Sequence, residues 1–193
     1  MQNRCAWVTT DSLYQQYHDK IWGRPVVDSR ELFAKLCLDG QQAGLSWLTI
    51  LKKQQNYERA FFDFDPSRIA GMDENDIEQL MLDKGIVRNR LKIQSIIKNA
   101  RAYLVLQEQG VNFSDFLWQF TEGKTVVNQW SDKSQVPTTT NASDNMSKAL
   151  KKAGFSFVGS TICYAFMQAV GMVNDHTTDC FCYADVVSKA RKP

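Results

Sequence analysis

Residues 28–62 spell two helices interrupted by a glycine-bracketed break, and this pattern constrains the fold more than any other stretch. Asp28 stands three residues ahead of Glu31 in the manner of a capping box. Leu32, Phe33, Leu36 and Cys37 then recur at helical spacing. A second helical period opens at Trp47, runs through Leu48, Leu51 and Tyr57, and is ended by DFDP (63–66). Between the two lies LDGQQAGLSW (38–47), where Gly40 and Gly44 permit positive φ or the close approach of another group. Asp39 falls just before the break, at the end of a helix where the dipole disfavours an acid. Taken locally, it reads as a solvated residue near an ordinary helix terminus. Its unfavourable placement also admits a functional reading.

The helical period recurs along the chain. Asp73 caps a helix carrying Ile77, Leu80 and Met81, which Gly85 stops. Ile86 and Val87 lead into a longer one with Ile93, Ile96, Ile97, Ala100 and Leu104. Ser114 or a neighbour caps an aromatic helix over Asp115–Phe120, and residues 121–142 read as a long polar connection. Ser143 opens a helix with Met146, Ala149 and Leu150 that Gly154 closes. Ala153 to Asn174 carries no charge, but glycines, serines and Gln168 interrupt it, so a buried core helix over about 160–170 is expected rather than a membrane span. No segment sustains period-two alternation, and the predicted fold class is all-α.

The net charge of +2 is too mild to establish a nucleic-acid partner, so its distribution matters more. From Lys84 to Arg101 there are six basic residues and no acid. A glycine turn at Gly85, ahead of a helix start and beside Arg88 and Arg90, is an anion site by geometry and dipole, or else simply an exposed basic face. A helix-hairpin-helix is the sharper alternative, and the match is partial because position 87 is Val where a second glycine is usual. The five cysteines (5, 37, 163, 180, 182) form no disulfide framework, and with no secretory signal at the start a reducing cytoplasm is expected. Each of the two histidines has a cysteine partner, Cys5 with His18 and His176 with Cys180. Four such ligands would suit Zn²⁺, although the spacings are not those of a zinc finger and packed thiols fit them as well. Trp7, Tyr14, Tyr17 and Trp22 crowd the first segment. They read as core, or as walls that would, with an acid, take a flat cationic or amino-bearing ring.

Four stretches together carry a resemblance: RCAWVTTDSLYQQYHDKIWG (4–23), LDGQQAGLSWLTILKK (38–53), KALKKAGFSFVGSTICYAFMQAVGMVNDH (148–176) and Cys180. They closely resemble the bacterial 3-methyladenine DNA glycosylase I family, over residues 4 to about 183. The resemblance implies a helix-hairpin-helix glycosylase fold with a zinc clasp joining the N- and C-terminal segments, its ligands Cys5, His18, His176 and Cys180. It implies a base pocket of Tyr14, Tyr17, Asp39 and Trp47, with Trp7 and Trp22 in its walls. The family usually has Glu where this chain has Asp39, so the carboxylate is kept with a reach about one methylene shorter. The tail beyond Tyr183 has no counterpart in the resemblance. The expectation is a single catalytic domain over 1–183, in one body or two lobes, and a flexible tail over 184–193.

The function so implied is hydrolytic excision of 3-methyladenine from alkylated double-stranded DNA by a monomeric, monofunctional glycosylase that releases the free base. Gly44 and Leu45 would press into the gap left by the flipped base, and Gly85, Arg88 and Arg90 would hold the phosphate backbone. No lysine is expected in the pocket, and Lys52 and Lys53 are expected to face solvent. A non-catalytic helix-hairpin-helix DNA-binding module has no need of an acid walled by aromatics. A small-molecule enzyme has no need of the basic hairpin.

Overall fold

The computed structural model describes residues 2–192, so Met1 and Pro193 lie outside it. Ten helices form among the described residues, in the order α1 (Ser12–Lys20), α2 (Ser29–Gln41), α3 (Trp47–Ala60), α4 (Pro66–Ala70), α5 (Glu74–Leu82), α6 (Arg90–Glu108), α7 (Phe113–Trp118), α8 (Asn141–Lys152), α9 (Ser160–Ala169) and α10 (Tyr183–Ser188). Most start where a short polar side chain takes up the free amides of the first turn. Asp28 accepts from Arg30 and Glu31, Ser46 from Thr49, and Asp73 forms a full capping box with Asp76. Two expected starts move: Asn112 rather than Ser114 caps α7, and Thr140 rather than Ser143 caps α8. No helix among the described residues is long and apolar enough to cross a membrane.

α2 is the central element, packed by α3, α6, α7 and α9. Every residue from Leu36 to Gln41 is buried, so the end of this helix lies inside the protein rather than at its surface. The break falls later than the glycines suggest. α2 runs through Gly40 to Gln41, and only residues 42–46 leave the helix. The two glycines serve different needs. A Cβ at Gly40 would stand 3.2 Å from Phe157, so the glycine lets the 154–159 connection close on the helix. Gly44 adopts φ +74°, which turns the chain into α3.

The buried end of α2 needs partners for its last carbonyls. Lys92, in the first turn of α6, supplies them: its Nζ donates to the carbonyls of Gln41 (2.8 Å) and Ala43 (2.6 Å). Burial pushes the Lys92 amine below its ordinary value. Gln41 reaches back from α2, donating to the Lys92 carbonyl at 3.0 Å and accepting from the Tyr57 hydroxyl at 3.2 Å. Lys92 therefore does not belong to an exposed basic face, as its place in the 84–101 run had suggested.

Two corrections concern the C-terminal half of the chain. A two-residue parallel pairing joins β1 (Val126–Val127) to β2 (Val173–Asn174), too short to show alternation in sequence. Of the supposed flexible tail, residues 184–188 belong to α10 (Tyr183–Ser188), with Val186 wholly buried. Arg24 pairs with Asp185 at 2.9 Å, and the Arg191 amide donates to Thr125 Oγ1 at 3.0 Å. One apolar side chain and a few polar ties suffice to dock a segment whose composition reads as solvated.

Lys92→Met keeps the stem of the side chain and removes its charge, leaving the buried Gln41 carbonyl and the half-buried Ala43 carbonyl without this donor. It should lower stability by about 1–3 kcal/mol in urea unfolding, the cost of unsatisfied buried polar groups. An unchanged unfolding midpoint would show that the α2 end is held by something else.

Candidate active site

A cavity of about 320 Å³ opens beside the buried end of α2. The sequence-predicted residues Trp7, Tyr14, Tyr17, Trp22, Asp39 and Trp47 all line it. Trp7 stands 5.0 Å from both Tyr14 and Trp22, and Tyr17 stands 5.5 Å from Trp47, ring centroid to ring centroid. The far wall comes from elsewhere in the chain: Thr161, Tyr164, Ala165 and Gln168 of α9, Asp175, and the 133–138 connection. Sequence reasoning assigned none of these to the pocket.

Asp39 is only 3% exposed. One carboxylate oxygen accepts from the Lys35 ammonium one turn earlier on α2, and the other has no partner. The indole N–H of Trp47 is likewise buried and unpaired. Burial pushes Asp39 up and Lys35 down, and the charge of each partner opposes both shifts. Burial, reinforced by the Asp39 charge, pushes the Tyr17 hydroxyl well up, which keeps it a hydrogen-bond donor. The Lys35 ammonium also lies over the Trp47 ring, 3.8 Å from its centroid. The expectation of no lysine in the pocket is therefore wrong. Lys35 is four residues before Asp39 on a helix legible in the sequence, so the helical spacing rule alone would have found it. Lys52, by contrast, is exposed and pairs with Asp11 at 2.8 Å. Lys53 donates to the Lys84 carbonyl at 3.0 Å instead of facing solvent freely.

The other four-residue set also assembles. Ligand atoms of Cys5, His18, His176 and Cys180, all buried, lie within 4.8 Å of one another, a group able to hold a metal ion. Cys5 Sγ to His176 Nδ1, Cys180 Sγ to His176 Nδ1 and Cys180 Sγ to His18 Nε2 are each 3.5 Å. The remaining ring nitrogens are engaged: His18 Nδ1 with Asp19 Oδ1 at 2.7 Å, and His176 Nε2 with the Trp22 carbonyl at 3.3 Å. Arg4 in turn braces Asp19. Cys180 is held well below the ordinary thiol value, first by the hydrogen bond of the Cys5 thiol and then by the two imidazoles, and Cys5 is pushed up in exchange. The set ties residues 3–22 to 174–182, with the Phe181 amide donating to the Asn3 carbonyl at 2.9 Å.

Asp175 links this group to the cavity. Its carboxylate accepts from Asn128 (2.7 Å), Trp130 (2.8 Å), Tyr164 (2.7 Å) and Gln168 (2.9 Å). The cavity wall is thus hydrogen-bonded to the residue next to His176.

The expected DNA-contacting residues lie apart from the cavity floor. Leu45, 40% exposed, and Gly44 sit in the break between the cavity residues Gln42 and Trp47. The hairpin of α5, residues 83–89 and α6 is present. The Gly85 amide, however, donates to Asp83 Oδ1 at 2.7 Å and the Val87 amide to the Tyr57 hydroxyl at 3.1 Å. These amides stitch the turn internally and are not offered to an anion. Arg90 forks onto Glu74 and Glu78 of α5. Arg88 is exposed and makes no ion pair or side-chain hydrogen bond among the described residues.

The family model described as methyladenine glycosylase matches residues 7–183. DNA-3-methyladenine glycosylase 1 of Escherichia coli is 56% identical over 180 residues, covering 93% of this chain and 96% of that one. The Haemophilus influenzae DNA-3-methyladenine glycosylase is 53% identical over 182 residues, covering 94% and 98%. Among solved structures, a crystal structure of 3-methyladenine DNA glycosylase I superposes with a TM-score of 0.93 at 56% identity, covering 94% of this chain and all of that one. A Staphylococcus aureus 3-methyladenine DNA glycosylase I, solved for the structural basis of its 3-methyladenine recognition, gives 0.90 at 42% identity, covering 94% and 97%. A buried acid walled by aromatics, the Cys/His group that joins the two ends of the chain, and these likenesses over nearly its whole length agree: the chain belongs to the methyladenine glycosylase family.

Proposed function

We propose that this protein excises 3-methyladenine from alkylated double-stranded DNA, as a monomer and a single catalytic domain. The observation that carries the reading is Asp39: a buried carboxylate with one oxygen unpaired, between Tyr17 and Trp47, in a chain of this family. A base inside a duplex is out of reach, so it is flipped into the cavity, with Leu45 pressing into the gap it leaves. Methylation at N3 gives the attached adenine a positive charge. Trp47 stacks on that cation, Asp39 accepts from its exocyclic amine, and the Tyr17 hydroxyl donates to its edge. Water attacks the anomeric carbon, the bonding pair of the glycosidic bond leaves with the base, and a proton goes to solvent. Lys35 is bonded to Asp39 and lies over the Trp47 ring, which puts it among the residues proposed to hold the base. No Schiff base forms, and the strand stays intact.

Incubated with methylated duplex DNA, the protein should release free 3-methyladenine and leave uncleaved abasic strand. Salt-dependent DNA binding without release would instead support a non-catalytic DNA-binding module.

The Cys/His group suits Zn²⁺. Around a tetrahedral zinc with Zn–S of about 2.3 Å and Zn–N of about 2.0–2.1 Å, sulfur and nitrogen ligands stand about 3.5 Å apart, the separation found here. Both imidazoles have the outer hydrogen-bond partners that zinc histidines usually have. Four protein ligands leave no position for a water, so the zinc is structural. The purified protein should carry about one zinc per chain, and Cys5→Ser or His176→Ala should lower its melting temperature. Zinc-free protein of undiminished stability would contradict the assignment.

Helix-hairpin-helix contact with the phosphate backbone falls to Arg88, because Arg90 is occupied by Glu74 and Glu78. Arg88→Ala should weaken duplex binding across all sequences and lower the salt slope by about 1. Arg90→Ala should move the slope less. The reverse order would show that the Arg90 ion pairs open on DNA.

A further inference from the structure

Lys35 has no part in the mechanism above, yet it occupies the centre of the site. Its ammonium is bonded to one oxygen of Asp39 and rests 3.8 Å from the Trp47 ring centroid and 5.9 Å from that of Tyr17. A ring stacked on Trp47 with its amine on Asp39 needs that same space. We infer that Lys35 is a resident cation that holds the base's seat in the free enzyme, is displaced by a cationic base, and returns when the base loses its charge.

The inference rests on the proposed substrate and follows from charge bookkeeping across the reaction. The attached 3-methyladenine is a cation, so its exchange for the Lys35 ammonium leaves the charge beside Asp39 unchanged. When the glycosidic bond breaks, its electron pair passes to the ring and cancels the positive charge. The neutral product no longer offers Asp39 a cation, whereas Lys35 does. An ammonium facing both a buried carboxylate and an indole gains ion pairing and cation–π attraction at once. Burial weakens the ammonium through desolvation, which keeps the seat from being held too tightly. The side chain is 16% exposed, so it already has an edge toward solvent through which to leave. A neutral base from undamaged DNA meets the same competition and fails to displace it. Lys35 thus makes residence in the pocket depend on the charge of the base.

Two measurements test this. Lys35→Met keeps the length and apolar stem and removes the cation. Product inhibition by free 3-methyladenine should become about tenfold stronger in this variant, read as a lower inhibition constant in the excision assay and as tighter binding by Trp fluorescence titration. In the parent protein, reductive methylation followed by peptide mass analysis should label Lys35 slowly in the free enzyme and several-fold faster with saturating 3-methyladenine. Equal affinity of both proteins for 3-methyladenine, or Lys35 labelling unchanged by the ligand, would overturn the role of Lys35 while leaving the base site in place. Failure of both proteins to bind the base would overturn the base-site reading itself.

Discussion

A carboxylate is held at the buried C-terminal end of a helix, where the helix dipole and desolvation both oppose it. Most of the architecture around α2 answers that problem. Lys92 places a positive charge on the last carbonyls of the helix. Gln41 and Tyr57 fix the turn beyond them and reach the Val87 amide in the hairpin. Gly40 lets Phe157 close over the helix, and Lys35 satisfies one of the two Asp39 oxygens. The second oxygen has no protein partner, so the carboxylate keeps a free acceptor whichever cation, Lys35 or a base, stands against the first.

The two ends of the chain complete the cavity together. Trp7, Tyr14, Tyr17 and Trp22 come from the first segment, whereas Tyr164, Gln168 and Asp175 come from the last third. The Cys/His group is what brings these regions into register, and the four-donor cage around Asp175 passes its position directly to the wall. A metal held by this group would act on the cavity wall without touching it. The short β1–β2 pairing serves the same end, because β2 leads straight into Asp175 and His176.

Much of this was legible in the sequence. Helix starts with an Asp cap declared themselves at Asp28 and Asp73, and the apolar period gave the core face of α2 and α6. What local patterns missed was the partner of each charge. Lys92 looked like one more cation in a basic run, but it points inward because the end of α2 happens to lie there, a fact of tertiary packing. Arg90 looked free until α5 brought Glu74 and Glu78 beside it. Gly85 was read as exposing amides, yet an aspartate two residues earlier takes its own. Lys35 is different, since the spacing to Asp39 was available and passed over. Asp175, the 133–138 wall and the docking of Val186 depend on contacts between residues far apart in the chain, which no local pattern encodes.

The central claim is that the Asp39 carboxylate, not the aromatic walls alone, selects the base. Asp39→Asn keeps the shape of the side chain, removes its charge, and offers an NH₂ where an acceptor is needed. The most direct test is the affinity of this variant for free 3-methyladenine, measured by calorimetry on protein whose circular dichroism matches the parent. A loss of about 1–3 kcal/mol, the cost of an unmatched buried polar contact, is the predicted result. Binding equal to that of the parent would contradict the account and leave recognition to stacking on Trp47 and Tyr17.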